Sequence, residues 1–151
     1  MGVPTSNGDG QDEMTCSECG EGVLSQSRVR LESTRHGESF WAETGGLRCG
    51  RCGFETIDSE QSVEFTRLIS DEYRRAHGLL TSGEIRSRRA WLGMSQQRFS
   101  EYLGAGVASV KRWELGQIQD RAMDELIRLK TDVEAARENL RSLEEQVQEH
   151  L

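Results

Sequence analysis

The chain of 151 residues lacks most of what would place it in a membrane, outside the cell or among the enzymes. It has no apolar run near the roughly 20 residues needed to span a bilayer. Its first ten residues, Met1 to Gly10, are polar and glycine-rich, without the basic start and apolar centre of a secretion signal. No cysteine is left over, because the four occur as two CxxC pairs. There is no Ser/His/Asp set, no phosphate-cradling glycine loop and no HExxH, and the three histidines are widely scattered. The expectation is a cytoplasmic protein that is not an enzyme. In that compartment cysteine pairs bind metal more often than they form disulfides.

Positive charge is also scarce. The net charge is -7, which looks wrong for a partner of nucleic acid, but placement matters more than the sum. Residues 81–119 hold Glu84, Glu101 and Glu114 against Arg86, Arg88, Arg89, Arg98, Lys111 and Arg112, a net of +3, and no other segment is positive.

That segment contains the stretch around which the chain is organised, Met94 to Gly116. Ser95 is a good N-cap. Phe99 and Leu103, four apart, share a helix face. Gly104 and Gly106 suit a sharp turn. A second helix then points Val107 and Val110 inward and shows Ala108, Ser109, Lys111 and Arg112 outward. Helix, glycine turn and helix with a basic face is the helix-turn-helix plan, whose second helix enters the DNA major groove. The alternative is two amphipathic helices of an ordinary bundle. The Ser95-Gln96 opening and the Arg112-Trp113-Glu114-Leu115-Gly116 ending resemble Xre/Cro-type helix-turn-helix domains.

Upstream, Cys16-Ser17-Glu18-Cys19-Gly20 and Cys49-Gly50-Arg51-Cys52-Gly53 are separated by 29 residues. Four thiolates from two tight turns suit one tetrahedral ion, and a site so filled is structural. Cys16, Cys19, Cys49 and Cys52 are the expected ligands of one structural Zn2+ per chain, with disulfide or redox chemistry or another metal as alternatives. Alternation over Arg28–Glu32 predicts a strand. Phe40–Ala42, Leu47–Cys49 and Phe54–Ile57 read as further short strands, with a turn at Gly45-Gly46. His36 reads as a surface loop residue. The expected fold class is α+β, mostly α. Residues 1–13 are expected to be disordered, 14–58 to form the small antiparallel zinc-bound module, 59–80 a linking helix, 81–130 the helix-turn-helix domain, and 131–151 a C-terminal heptad helix.

The linking helix places Phe65, Leu68, Ile69, Tyr73 and Ala76 on one face, capped by Asp58 or Ser59 and ended by Gly78. Thr81 and Glu84 form a capping box for the next helix, which turns Ile85 and Leu92 inward. Its Arg86, Arg88 and Arg89 face outward, either on phosphates or merely solvated. From Asp120 the pattern is helical to the end. Leu126, Val133, Leu140 and Val147 recur by seven, beside Leu129, Ala136, Leu143 and His150. A parallel pair would match Glu125 with Lys130 and Asp132 with Arg137. Leu126, Leu129, Val133, Leu140, Leu143 and Val147 are thus the candidate dimer contacts, and the alternative is one long helix folded back on its own domain.

The order of these modules over about residues 14–130 resembles the MqsA family of antitoxins, which carry a YgiT-type zinc finger. Tyr73–Thr81, Ile85-Arg86, Leu92-Gly93 and Gly104–Val107 carry the likeness too. The resemblance implies a zinc domain that binds a partner toxin, typically an RNA-cleaving one, and a helix-turn-helix dimer that represses its own operon. In that family an Asn and an Arg read bases. Arg112 sits at the Arg position, but Ala108 stands at the Asn position and offers only contact with a thymine methyl. Ser109, Lys111 and Arg112 are then the expected base readers. Gln96, Gln97 and Arg98 are expected on the phosphate backbone, Trp113 in packing with its indole nitrogen on a phosphate, and Glu114 paired with an arginine of the domain's first helix. The tail from about Thr131 exceeds the family pattern. The expected function is a DNA-binding repressor and antitoxin, the alternative a regulator with no toxin partner.

Overall fold

The computed structural model describes residues 13–151, so the expectation for 1–13 falls almost wholly outside the described residues. Four antiparallel strands come first, adjacent in chain order: β1 (Met14–Thr15), β2 (Val23–Arg35), β3 (Glu38–Cys49) and β4 (Glu55–Thr56). Six helices follow: α1 (Ser59–Ala76), α2 (Ser82–Trp91), α3 (Gln96–Leu103), α4 (Val107–Leu115), α5 (Arg121–Thr131) and α6 (Val133–Glu149). This is the α+β class with most of the structure helical, as expected.

The sheet differs from expectation in its first strand, β1, which no motif marked, and at the two glycines. Gly45 and Gly46 do not turn the chain. β3 runs straight through them, with Gly46 opposite Ser27 and Gly45 opposite Arg28. A Cβ on Gly46 would collide with the Val29 side chain and lie 2.8 Å from the Thr56 carbonyl oxygen. The glycine therefore serves close approach rather than a bend. The hairpin turns instead at His36 and Gly37, both left-handed, between the paired Arg35 and Glu38, as a two-residue hairpin requires.

α1 starts in a capping box, the Asp58 carboxylate accepting from the Gln61 amide while the Gln61 side chain accepts from Asp58. It buries Phe65 and Ile69 against Ala42, flanked by Leu31, Phe40, Ile57 and Leu68. Tyr73 meets Phe40 edge-on at 5.9 Å, while Ala76, expected on this face, is exposed. The other core lies among α2–α5: Leu80, Ile85, Phe99, Leu103, Val110, Trp113 and Ile127, with Leu92, Met94, Ala105 and Met123 around them.

The helix expected from Asp120 to the end is broken. Asp132 is extended, with φ -130° and ψ 115°, and its carboxylate accepts from the amides of Glu134 and Ala135. An N-cap inside the heptad ends α5 and starts α6. Leu126 and Leu129 are half-buried on α5, whereas Val133, Leu140, Leu143 and Val147 are exposed on α6. The seven-residue ladder thus spans two helices rather than forming one seam.

Candidate functional site

The two CxxC turns are built alike. Gly20 donates to the Cys16 carbonyl and Gly53 to that of Cys49, each glycine with positive φ. This folds each cysteine pair back on itself, and β2 and β3 then bring the pairs together. All four sulfurs lie within 4.8 Å of one another. Cys16 Sγ is 3.7 Å from Cys52 Sγ, and Cys19 Sγ is 3.8 Å from Cys49 Sγ. A tetrahedral ion with metal–sulfur bonds near 2.3 Å separates its sulfurs by about 3.8 Å. The donor set and its spacing therefore fit a metal ion.

Backbone amides prepare the sulfurs for negative charge. The Gly22 amide donates to Cys19 Sγ at 3.3 Å, and the amides of Arg51 and Cys52 to Cys49 Sγ at 3.4 Å. The Gly22 amide is the main cause holding the Cys19 thiol below its usual value, and the Cys52 amide does the same for Cys49. At Cys52 the Phe54 amide pulls down, but burial and the crowding of Cys49, Cys16 and Cys19 outweigh it and push the thiol to about 12. Four thiolates share this space only beside a cation. Gly22, unmarked by any motif, has no room for a side chain, since a Cβ there would strike Cys49 Sγ.

At the other pole, α3 and α4 are joined by Gly104, Ala105 and Gly106. Ser95 caps α3 through the Arg98 amide, and Gly104 ends it with φ 75°. Val110 and Trp113 root α4 in the core. Ala108, Lys111 and Arg112 are exposed beside half-buried Ser109. Glu114, 2 % exposed, accepts two bonds from Arg89, Nε at 2.6 Å and Nη2 at 3.1 Å. Burial would raise its pKa, but Arg89 and Gln96 outweigh burial and hold it below the carboxylate range.

This buried acid claims residues expected at the surface. Gln96 Nε2 donates to Glu114 at 2.8 Å, so Gln96 braces α3 against α4 rather than reaching outward. Arg89 is held the same way, and Arg88 donates to Thr131 Oγ1 at 3.0 Å. Of that trio Arg86 stays mostly exposed. Gln97 donates to Glu101 at 3.0 Å on the surface, and Arg98 is exposed.

A family model described as the antitoxin component of a bacterial toxin–antitoxin system, MqsA, matches residues 14–142. The chain belongs to the MqsA antitoxin family. Comparison with curated proteins finds no match. The match runs from the first strand through both poles and into α6. Among the described residues no helix is long and apolar enough to cross a membrane.

One set of residues joins the poles of this MqsA-family chain, and although Arg74 and Leu80 lie in the Tyr73–Thr81 stretch, nothing in that stretch marked their joining role. Arg74 of α1, fully buried, donates to the carbonyls of Trp113 at 3.0 Å and Gln117 at 2.8 Å, at the C-terminal end of α4. It also donates to Gln119 Oε1 at 3.0 Å and to Asp71 at 2.9 Å. Asp71 accepts from the amide and hydroxyl of Ser82, and Asp124 from the Leu80 amide and Gln119. No buried side-chain polar atom lacks a partner among the described residues. The helix that lies on the sheet is thereby pinned to the end of α4.

Proposed function

We propose that this MqsA-family chain is a zinc-stabilised antitoxin that also represses transcription, reading operator DNA with α4 as a homodimer in the cytoplasm. The observation that carries the DNA reading is α4 itself. Its inner residues are fixed by Val110, Trp113 and the Glu114–Arg89–Gln96 set, and its free face offers Lys111 and Arg112 with Ala108 and Ser109. A rigid helix with short and basic side chains outward can enter a major groove, where arginine grips guanine through two bonds and alanine tolerates a thymine methyl. Gln97 and Arg98, which contact Glu101, and Arg86, which lies 3.7 Å from Glu114, are exposed and could turn to meet phosphates. Trp113 serves as the packing anchor rather than a reader.

Zinc is the ion we assign to Cys16, Cys19, Cys49 and Cys52, since four thiolates in this spacing suit it and leave no open position for a reacting water. The site holds the β module together and does no chemistry. Toxin neutralisation is assigned from family membership, and the zinc module is its proposed dock.

Titration of operator and random DNA with wild type and Arg112→Ala tests the DNA reading. The variant should lose about 1–3 kcal/mol on operator and relax selection at one base pair. Equal behaviour of the two proteins on both DNAs would contradict it. For the antitoxin role, co-expression should rescue cells from a toxic neighbouring reading frame, and the absence of any toxic neighbour would leave a regulator alone.

A further inference from the structure

We infer that α6 pairs with α6 of a second copy of this chain, and that the two helices run antiparallel. This rests on the dimeric reading above and adds its orientation. α6 turns back towards α5, with Ala135, Glu138 and Asn139 facing Arg128 and Leu129 across an open groove. Its other side carries Leu140, 54 % exposed, Leu143, 56 %, and Val147, 53 %, in line with Ala136. No α6 residue is buried within the chain. An apolar stripe of this kind on a helix that is otherwise charged is the face that a second amphipathic helix covers.

Charge decides the direction. A parallel pair would depend on Glu125 with Lys130 and Asp132 with Arg137. Two of those four groups hold hydrogen bonds inside the chain, while Arg137 has only a loose 3.9 Å contact with exposed Glu134. Lys130 Nζ donates to the Tyr102 carbonyl at 2.7 Å and lies over the Tyr102 ring. Asp132 is the α6 cap and lies 3.9 Å from Arg88. Antiparallel pairing needs neither Lys130 nor Asp132. With Leu140 opposite the partner's Leu143 and Ala136 opposite the partner's Val147, Arg137 comes beside the partner's Glu144, twice by symmetry. Both are exposed. Flanking charges of this kind set the orientation of paired helices.

The length also suits the proposed DNA reading. Seventeen residues make a rod of about 25 Å. Antiparallel pairing sets the two helical domains at opposite ends of it, on the scale of the ~34 Å between successive major-groove half-sites. A parallel pair would set both domains at one end.

The test uses the full, reduced, zinc-loaded chain and two exposed α6 variants, Arg137→Glu and Glu144→Arg, followed by sedimentation equilibrium and by native mass spectrometry of mixtures. Each variant alone places like charges together and should dissociate about tenfold more readily than wild type. Mixed, the two should form heterodimers in preference to either homodimer, and the double variant should return to wild-type association. A wild-type dimer whose Glu144→Arg variant associates normally would overturn the antiparallel arrangement while leaving dimerisation intact. A monomeric wild type at all concentrations would overturn both.

Discussion

The two poles of the molecule solve the same problem by different means. The β module has little to bury. Beyond its contact with α1, it is closed by four cysteine sulfurs spaced to hold one metal ion. The helical domain has a continuous apolar core and, around it, three buried acids, Asp71, Glu114 and Asp124, each fully partnered. On the proposed metal assignment one region folds by coordination and the other by packing, and α1 belongs to both. Metal supply should therefore govern the proposed toxin dock without dismantling the proposed DNA reader.

The largest effect separates the two. Cys49→Ser removes a buried ligand and should withdraw most of the metal's contribution, on the order of 10 kcal/mol. Limited proteolysis should then cut between residues 14 and 58 while α2–α5 stays resistant. Equal protection of both regions would erase the contrast.

The converse change is Glu114→Ala. It strips Arg89 and Gln96 of their shared acceptor and should cost the helical domain about 3 kcal/mol. Metal content should stay at one ion per chain, as elemental analysis would show. A smaller effect belongs to the sheet. Gly46→Ala should cost about 1–3 kcal/mol by forcing Val29 and the Thr56 carbonyl apart, lowering metal affinity and sparing the helical melting transition.

Acid sharpens the comparison further. Burial would raise Asp71, but the Ser82 amide and hydroxyl and the Arg74 guanidinium outweigh it. At Asp124 the Arg128 guanidinium, the Leu80 amide and Gln119 do the same. Both carboxyls, like Glu114, sit below their usual values. A depressed folded pKa gives stability that is present above the unfolded value near 4 and is lost as pH falls through the folded one. The helical domain should thus weaken only below about pH 4. Thiolate ligands compete with protons well above that, so a pH titration followed by metal release and by helical circular dichroism should show the β module failing first.

Much of this was legible in the chain because it is local. The Thr81–Glu84 capping box, the Ser95 cap, the Gly104 turn and the two CxxC knuckles all sit within a few residues of sequence. What escaped depends on distant neighbours. Gly46 looks like a turn until β4 lies over it. Asp132 looks like a heptad position until its carboxylate caps a helix. Gln96 looks like a phosphate ligand until Glu114, eighteen residues later, takes its amide. Arg74 lies in the Tyr73–Thr81 stretch of the family likeness, but its bracing role was hidden because its four partners are spread from Asp71 to Gln119.

If metal holds one pole and packing the other, removal of the ion should part them. Three tryptophans allow this to be tested in one measurement: Trp41 on the sheet, Trp91 exposed at the end of α2, and Trp113 in the helical core. Indole NMR signals of the reduced chain should be followed while a chelator removes the metal. Trp41 should collapse to the position of an unfolded indole while Trp113 keeps its dispersed shift. Simultaneous collapse of Trp41 and Trp113, or the persistence of both without metal, would show that the two poles are not held by different means.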